Sequence, residues 1–187
     1  LDRRTIAICV CVALVAALAA GLATSVLTGD DGSPAPDQGL DLSNPVDTDT
    51  LLDVDLLTVE GAKTSLRDHL ADRPVVVNIW AQSCPPCVTE MPLLEQLHQD
   101  RPDIDVIGVD TQDRLDLALP LAAKTGITYP WFQDPSGNFF YAAEAAGMPT
   151  TLLVNPAGAV MAVKTGAFDD AADLDDWIER YVGPPAS

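Results

Sequence analysis

Two cysteines separated by two prolines, Cys84-Pro85-Pro86-Cys87, carry the most chemistry in this sequence. Thiols at this spacing can hold a metal, brace a loop as a disulfide, or exchange a disulfide with another molecule. A closed zinc site takes four ligands, and this pair supplies two. The only histidines are His69 and His98. His98 follows Cys87 on one predicted helix at a distance of about 16 Å along the axis, too far to share an ion. His69 can approach only through the fold, and no later histidine stands where a copper carrier would keep one. The expectation is no metal and no other cofactor. A bridge over two residues closes a tiny loop and removes little entropy from the unfolded chain, so bracing is a weak use for it.

Exchange chemistry draws on every local feature. Val75-Val76-Val77-Asn78-Ile79-Trp80 is an apolar, β-branched run that reads as a strand buried on both faces. A helix is predicted from Pro85 to Asp100, with Val88, Met91, Leu94 and Leu97 on one face and a kink at Pro92. Cys84 therefore sits where a strand ends and a helix begins. The helix N–H groups and macrodipole favour an anion there, which stabilises its thiolate. Cys87, one turn further in, is more covered and suits a resolving thiol. Pro85 and Pro86 lack N–H donors, a loss the first helical turn tolerates. They also leave the thiolate with fewer donors, which mildly favours a reductant.

The elements around this junction follow the same reasoning. Asp53–Val59 reads as a short strand or hairpin ending at the Glu60-Gly61 turn, and Ile104–Val109 as a second buried strand. Strand, helix and strand in this order make a parallel, right-handed βαβ unit. A second helix is predicted over Leu115–Lys124, closed by Gly126. Thr151–Val154 and Val160–Lys164 read as an antiparallel hairpin across Asn155-Pro156-Ala157-Gly158. Ala171–Tyr181 is a last amphipathic helix. The expected fold class is α/β: a mixed central sheet with helices on both faces, preceded by an N-terminal transmembrane helix.

That transmembrane segment comes from composition. Arg3 and Arg4 precede an apolar stretch whose core is Ile6–Leu27, and Asp30-Asp31 follow. A spanning helix needs about 20 such residues, and cleavable signal cores run to about 15. The charge order keeps the N-terminus inside and sends the rest out. Residues 1–28 are expected to be a signal anchor, residues 29–45 a flexible linker and residues 46–187 the folded domain. The expected location is the cell membrane, single-pass, with the domain on the extracytoplasmic side. Secretion after signal cleavage is the alternative. Cys9 and Cys11 fall inside the apolar segment and read as small hydrophobes. Cys84 and Cys87 are then the only exported pair, in an oxidising compartment. The net charge of −18 argues against nucleic acid and anionic membrane surfaces as partners.

A CxxC pair beside a βαβ unit is thioredoxin-like. More specifically, Val76 to Pro92, with Trp80-Ala81-Gln82-Ser83-Cys84-Pro85-Pro86-Cys87-Val88-Thr89-Glu90-Met91-Pro92 at its heart, resembles the active-site stretch of TlpA/ResA-like proteins. Tyr129-Pro130, Asp134, Gly147-Met148-Pro149-Thr150-Thr151 and Asn155-Pro156-Ala157-Gly158 extend the resemblance over about Leu51 to Val182. These are extracytoplasmic, usually membrane-anchored thiol–disulfide oxidoreductases with a thioredoxin-like fold.

The resemblance implies further roles. Cys84 and Cys87 would form the redox disulfide, and Glu90 would be a partly buried carboxylate that exchanges protons with Cys87. Pro149 would be a cis-proline against the cysteines, and the Met148 backbone would pair with an extended substrate. Trp80 would pack at the site and touch substrate. Ser83 stands where the family usually keeps a second Trp, so the lid beside Cys84 is smaller and more polar.

Targets would be disulfide-containing exported proteins, such as an apocytochrome c with its haem-site cysteines. Electrons would arrive through a membrane thiol relay. Two alternatives stand beside this: the same chemistry run backwards as an oxidase, and a non-catalytic metal- or partner-binding module. No Pro-x-x-x-Thr-x-x-Cys peroxidase pattern occurs.

Overall fold

The computed structural model describes residues 46–184. A seven-stranded mixed sheet forms the centre of the described chain. Its strands are β1 (Leu56–Leu57), β2 (Lys63–Thr64), β3 (Val75–Trp80), β4 (Asp105–Thr111), β5 (Trp131–Asp134), β6 (Thr150–Val154) and β7 (Val160–Thr165), in the order β2-β1-β5-β4-β3-β6-β7. The helices are α1 (Thr48–Leu52), α2 (Pro85–Asp100), α3 (Leu115–Thr125), α4 (Asn138–Ala142) and α5 (Ala171–Val182), with a single 3-10 turn at Leu66–His69.

β3 and β4 are parallel, as are β4 and β5. Two successive crossovers that step the same way along a sheet, both right-handed, put their helices on the same face. α2 and α3 accordingly share a face, where Ala118 and Leu121 of α3 meet Met91 of α2 around Trp80. α5 joins them there through Leu174, Trp177 and Ile178, packed with Val76, Val106 and Leu153. The other residues of β3, Val75, Val77 and Ile79, point into a second core with α1, the 3-10 turn and α4. Period-two alternation along one strand thus feeds two cores.

Most expected elements appear with shifts of a residue or two, but the strand expected over Asp53–Val59 is reduced to Leu56–Leu57, paired with β2 as a short hairpin. α2 runs Pro85–Asp100 and is continuous through Pro92. α3 ends at Gly126 in the left-handed region, φ 74°. The β6–β7 pair is antiparallel, with Gly158 N–H closing the turn onto the Asn155 carbonyl at 2.9 Å. α1, α4 and β5 were not foreseen. The strand is four residues long and ends in two polar residues, Gln133 and Asp134, so it carries no apolar pattern of its own. Tertiary bonds hold it: Asp134 accepts from Thr111 Oγ1 at 3.0 Å and from the Phe139 and Phe140 N–H groups, both at 3.1 Å, at the start of α4. The expected transmembrane helix over 1–28, and the linker, lie outside the described residues. Among the described residues no helix is long and apolar enough to cross a membrane.

Gly108, in the middle of β4, leaves space that the Trp80 indole fills. A Cβ there would stand 2.9 Å from Trp80 Nε1 and 3.0 Å from Trp131 Cβ. Gly108→Ala is expected to overpack this point and lower stability by about 1–3 kcal/mol in a denaturant titration. An unchanged midpoint would contradict the packing described.

Candidate functional site

Cys84 is the N-cap of α2, with extended backbone, and Pro85 and Pro86 occupy the first helical positions. Their missing N–H groups leave Cys87 with the first donor of the helix, and that N–H points to Cys84 Sγ at 3.2 Å. The same N–H also donates to the Cys84 carbonyl at 3.1 Å, so the sulfur receives one shared helix-terminal donor. The two sulfurs are joined, with the Cα atoms 5.3 Å apart. Cys84 keeps 7% of its surface exposed and Cys87 none. An incoming thiol can reach only the first sulfur, and Cys87 faces the interior.

Glu90 lies one turn further along α2 and is fully buried. Its Oε1 accepts from Asn78 Nδ2 at 2.8 Å and from Thr151 Oγ1 at 3.1 Å. Asn78 also donates to Thr151 Oγ1 at 3.2 Å. These two donors come from β3 and β6, where Asn78 and Thr151 are direct partners in the ladder. Glu90 Oε2 has no hydrogen bond among the described residues, and neither has Asn78 Oδ1. Burial pushes the carboxyl up to about 7, against the pull of the Thr151 hydroxyl, the Phe168 backbone and the Lys164 charge. Lys164 reaches toward this pocket from β7, over the Phe168 ring and 3.7 Å from Asp173. Tyr129 is buried nearby, and burial first, then the Glu90 and Glu95 charges, push its phenol upward.

The remaining expected site residues are placed as follows. Pro149 is buried and follows a cis bond from Met148, which is half-buried and packs against the Cys84 cluster. Ser83 is exposed beside Cys84. Trp80 departs from expectation, since it is fully buried and offers no surface to a substrate. Its ring supports the site from beneath, edge-on to Trp131 at 5.6 Å between centroids. Trp131, Val88, Met148 and Ile127 are the half-buried apolar groups packed against the cluster that holds Cys84.

Sequence reasoning passed over Trp131, Asn78 and Thr151. A signal for Asn78 was present: one amide inside a strand of apolar residues needs a buried partner. Among the described residues no group of three or more His, Cys, Asp or Glu comes together to hold a metal. The arrangement can perform thiol–disulfide exchange at Cys84, with a carboxyl that titrates near neutrality on the same helix as the buried cysteine.

The Redoxin family profile matches residues 31–178. Thiol-disulfide oxidoreductase ResA of Halalkalibacterium halodurans is 29% identical over 114 residues, 60% of this chain and 64% of that protein. Thiol:disulfide interchange protein DsbE of Pseudomonas fluorescens is 28% identical over 127 residues, 67% of this chain and 70% of its own. Thioredoxin-like protein YneN of Bacillus subtilis is 30% identical over 133 residues, 66% and 76%. Among solved structures, a secreted Mycobacterium tuberculosis disulfide oxidoreductase superposes with a TM-score of 0.61 at 19% identity, covering 73% of this chain and 99% of that one. The last likeness shows the thioredoxin-like fold.

Glu90 also sets a pH dependence of stability. Its folded-state value, about 7, lies above the ordinary 4.5, so the folded chain holds more protons than the unfolded chain between these values. Stability must then fall as pH rises through that window. Relative to Glu90→Gln, the oxidised wild-type protein is expected to lose on the order of 3 kcal/mol between pH 4.5 and pH 8 in denaturant titrations. Parallel profiles for the two proteins would contradict a buried, protonated Glu90.

Proposed function

This chain belongs to the Redoxin family, among its TlpA/ResA-like thiol–disulfide oxidoreductases, and on that premise we propose that it reduces disulfides of exported proteins through Cys84 and Cys87. The observation that carries this reading is the asymmetry of the pair: one sulfur at a helix N-terminus with some exposure, the other fully buried, three residues before the buried Glu90 on the same helix.

In the reduced protein the Cys84 thiolate attacks one sulfur of the target disulfide. A mixed disulfide forms, and the target's other sulfur leaves as a thiolate that takes a proton. Ionised Glu90 accepts the Cys87 proton, and Cys87 then attacks Cys84 Sγ. The second target thiol is released and the Cys84–Cys87 bond forms. Two electrons pass from the pair to the target. Re-reduction requires a dithiol donor, which we assign to a membrane thiol relay. An extended target segment would lie along the Met148 backbone beside Pro149 and Ser83, with its apolar groups on Trp131 and Val88.

The proposed target class is an exported protein with a closely spaced cysteine pair, such as apocytochrome c. The proposed location is the outer side of the cell membrane, with residues 1–28 as anchor. The names of the relatives, which describe thiol–disulfide oxidoreductase and interchange proteins, support the class of chemistry.

Trapping with an oxidised Cys-x-x-Cys-His peptide tests the assignment. Reduced Cys87→Ser should accumulate a mixed disulfide at Cys84, and Cys84→Ser should form none. Glu90→Gln should form the adduct at the wild-type rate and resolve it roughly 100-fold more slowly at neutral pH. An adduct that forms without Cys84, or resolution indifferent to Glu90, would contradict the proposed roles.

A further inference from the structure

Asp110 closes β4 beside the active-site loop, and the exchange reaction above leaves it unused. It is the ladder partner of Trp80 and is 1% exposed. Its Oδ2 accepts only a long bond from Gln133 Nε2, 3.4 Å, and its Oδ1 has no partner among the described residues. A bare carboxylate in that position is costly.

The charged groups that face it are both acidic. Asp113, in the loop after β4, stands within hydrogen-bonding reach, and Asp134 contributes from β5. The intervening Gln112 adopts a left-handed backbone, φ 58°, and its N–H is tied to the Asp134 carbonyl at 2.9 Å. A residue with a side chain takes that conformation at a cost, and here it accompanies the return of Asp113 toward Asp110. Asp113 Oδ2 in turn accepts the N–H of Gln82, in the loop that leads to Cys84. That loop turns immediately, with Cys84 N–H on the Ala81 carbonyl at 3.1 Å.

We infer that Asp110 and Asp113 share one proton and so clamp the loop bearing Cys84 to the end of β4, with Asp110 acting as a positioning residue for the attacking sulfur. Protonated Asp110 donates its O–H to the Asp113 carboxylate, which holds the Gln82 N–H. Loss of that proton sets two carboxylates against each other in a water-poor site. Asp113, half-buried, then turns to solvent, and Gln82 loses its acceptor. Burial first, then Asp113, push Asp110 up to about 8, so the clamp is closed at neutral pH and opens in mild alkali. The inference rests on Cys84 as the attacking sulfur only for its catalytic consequence.

Amide hydrogen exchange at Gln82 in the oxidised full chain tests the clamp, with protection corrected for the intrinsic pH dependence of exchange. Wild-type protection is expected to fall on the order of tenfold as pH crosses about 8. Asp110→Asn, whose amide still donates to Asp113 and does not titrate, should keep its protection, and Asp113→Asn should lack it at every pH. A flat wild-type profile, or an Asp110→Asn profile that falls in step with wild type, would overturn the clamp.

Carboxyl carbon resonances of the wild-type protein give a second test that needs no variant. Titration of Asp110 near pH 8 supports the shared proton, and an Asp110 already ionised at pH 6 overturns it. For the positioning role, the wild-type to Asp110→Asn rate ratio for reduction by dithiothreitol cancels the ionisation of the reagent. It should change roughly threefold between pH 7 and pH 9, and a constant ratio overturns that role. Gln82 exchange does not depend on which sulfur attacks, so failure of the clamp and failure of the Cys84 assignment are distinguishable.

Discussion

A carboxyl group taken out of water is the constraint around which this site is arranged. Glu90 is on the helix that carries both cysteines, and its side chain is sealed between that helix and the sheet. An ionised carboxylate there is expensive, so the group stays protonated to near-neutral pH. Two neutral donors, Asn78 and Thr151, satisfy one oxygen without supplying a charge. An arginine or lysine in their place would hold the carboxyl ionised. The antiparallel β3–β6 pairing sets the two donors side by side, so a one-residue slip of that register would turn Thr151 to the other face and dissolve the site.

The cysteine end follows a complementary logic. A helix N-terminus offers free N–H groups that stabilise a thiolate. Two prolines remove the first donors and leave the Cys87 N–H to serve Cys84 Sγ. The sulfur is stabilised, but by fewer donors than an N–H-rich loop would provide. A less stabilised thiolate makes the dithiol a better electron donor, which is the physical basis for assigning the reducing direction. Trp131, Val88 and Met148 pack as an apolar collar against the cluster that holds both sulfurs.

Much of this was legible in the residues. The β-branched run of β3, the proline-capped α2 and the Asn155–Gly158 turn each follow a local rule, and each element formed within a residue or two of expectation. The cysteines were legible from their spacing at a strand-to-helix junction, and Glu90 from the family resemblance of the stretch that holds them. What was hidden depends on contacts distant in sequence. β5 has no periodicity and exists because Asp134 bonds Thr111 and the start of α4. The family resemblance puts Trp80 at a substrate surface, yet its indole is buried over the bare backbone of Gly108, and Trp131 is the half-buried ring beside it. Asp110 looks like an ordinary acidic residue at a strand end, and only the pairing of β4 with β3 and β5 reveals that it is buried.

The reduction potential of the Cys84–Cys87 pair, obtained by equilibrating the protein with thiol buffers at pH 7, tests the central claim most directly. A reductant with so sparsely stabilised a thiolate should lie toward the thioredoxin end, about −270 mV. A value near about −120 mV would place the pair among oxidants and contradict the reducing direction assigned to it.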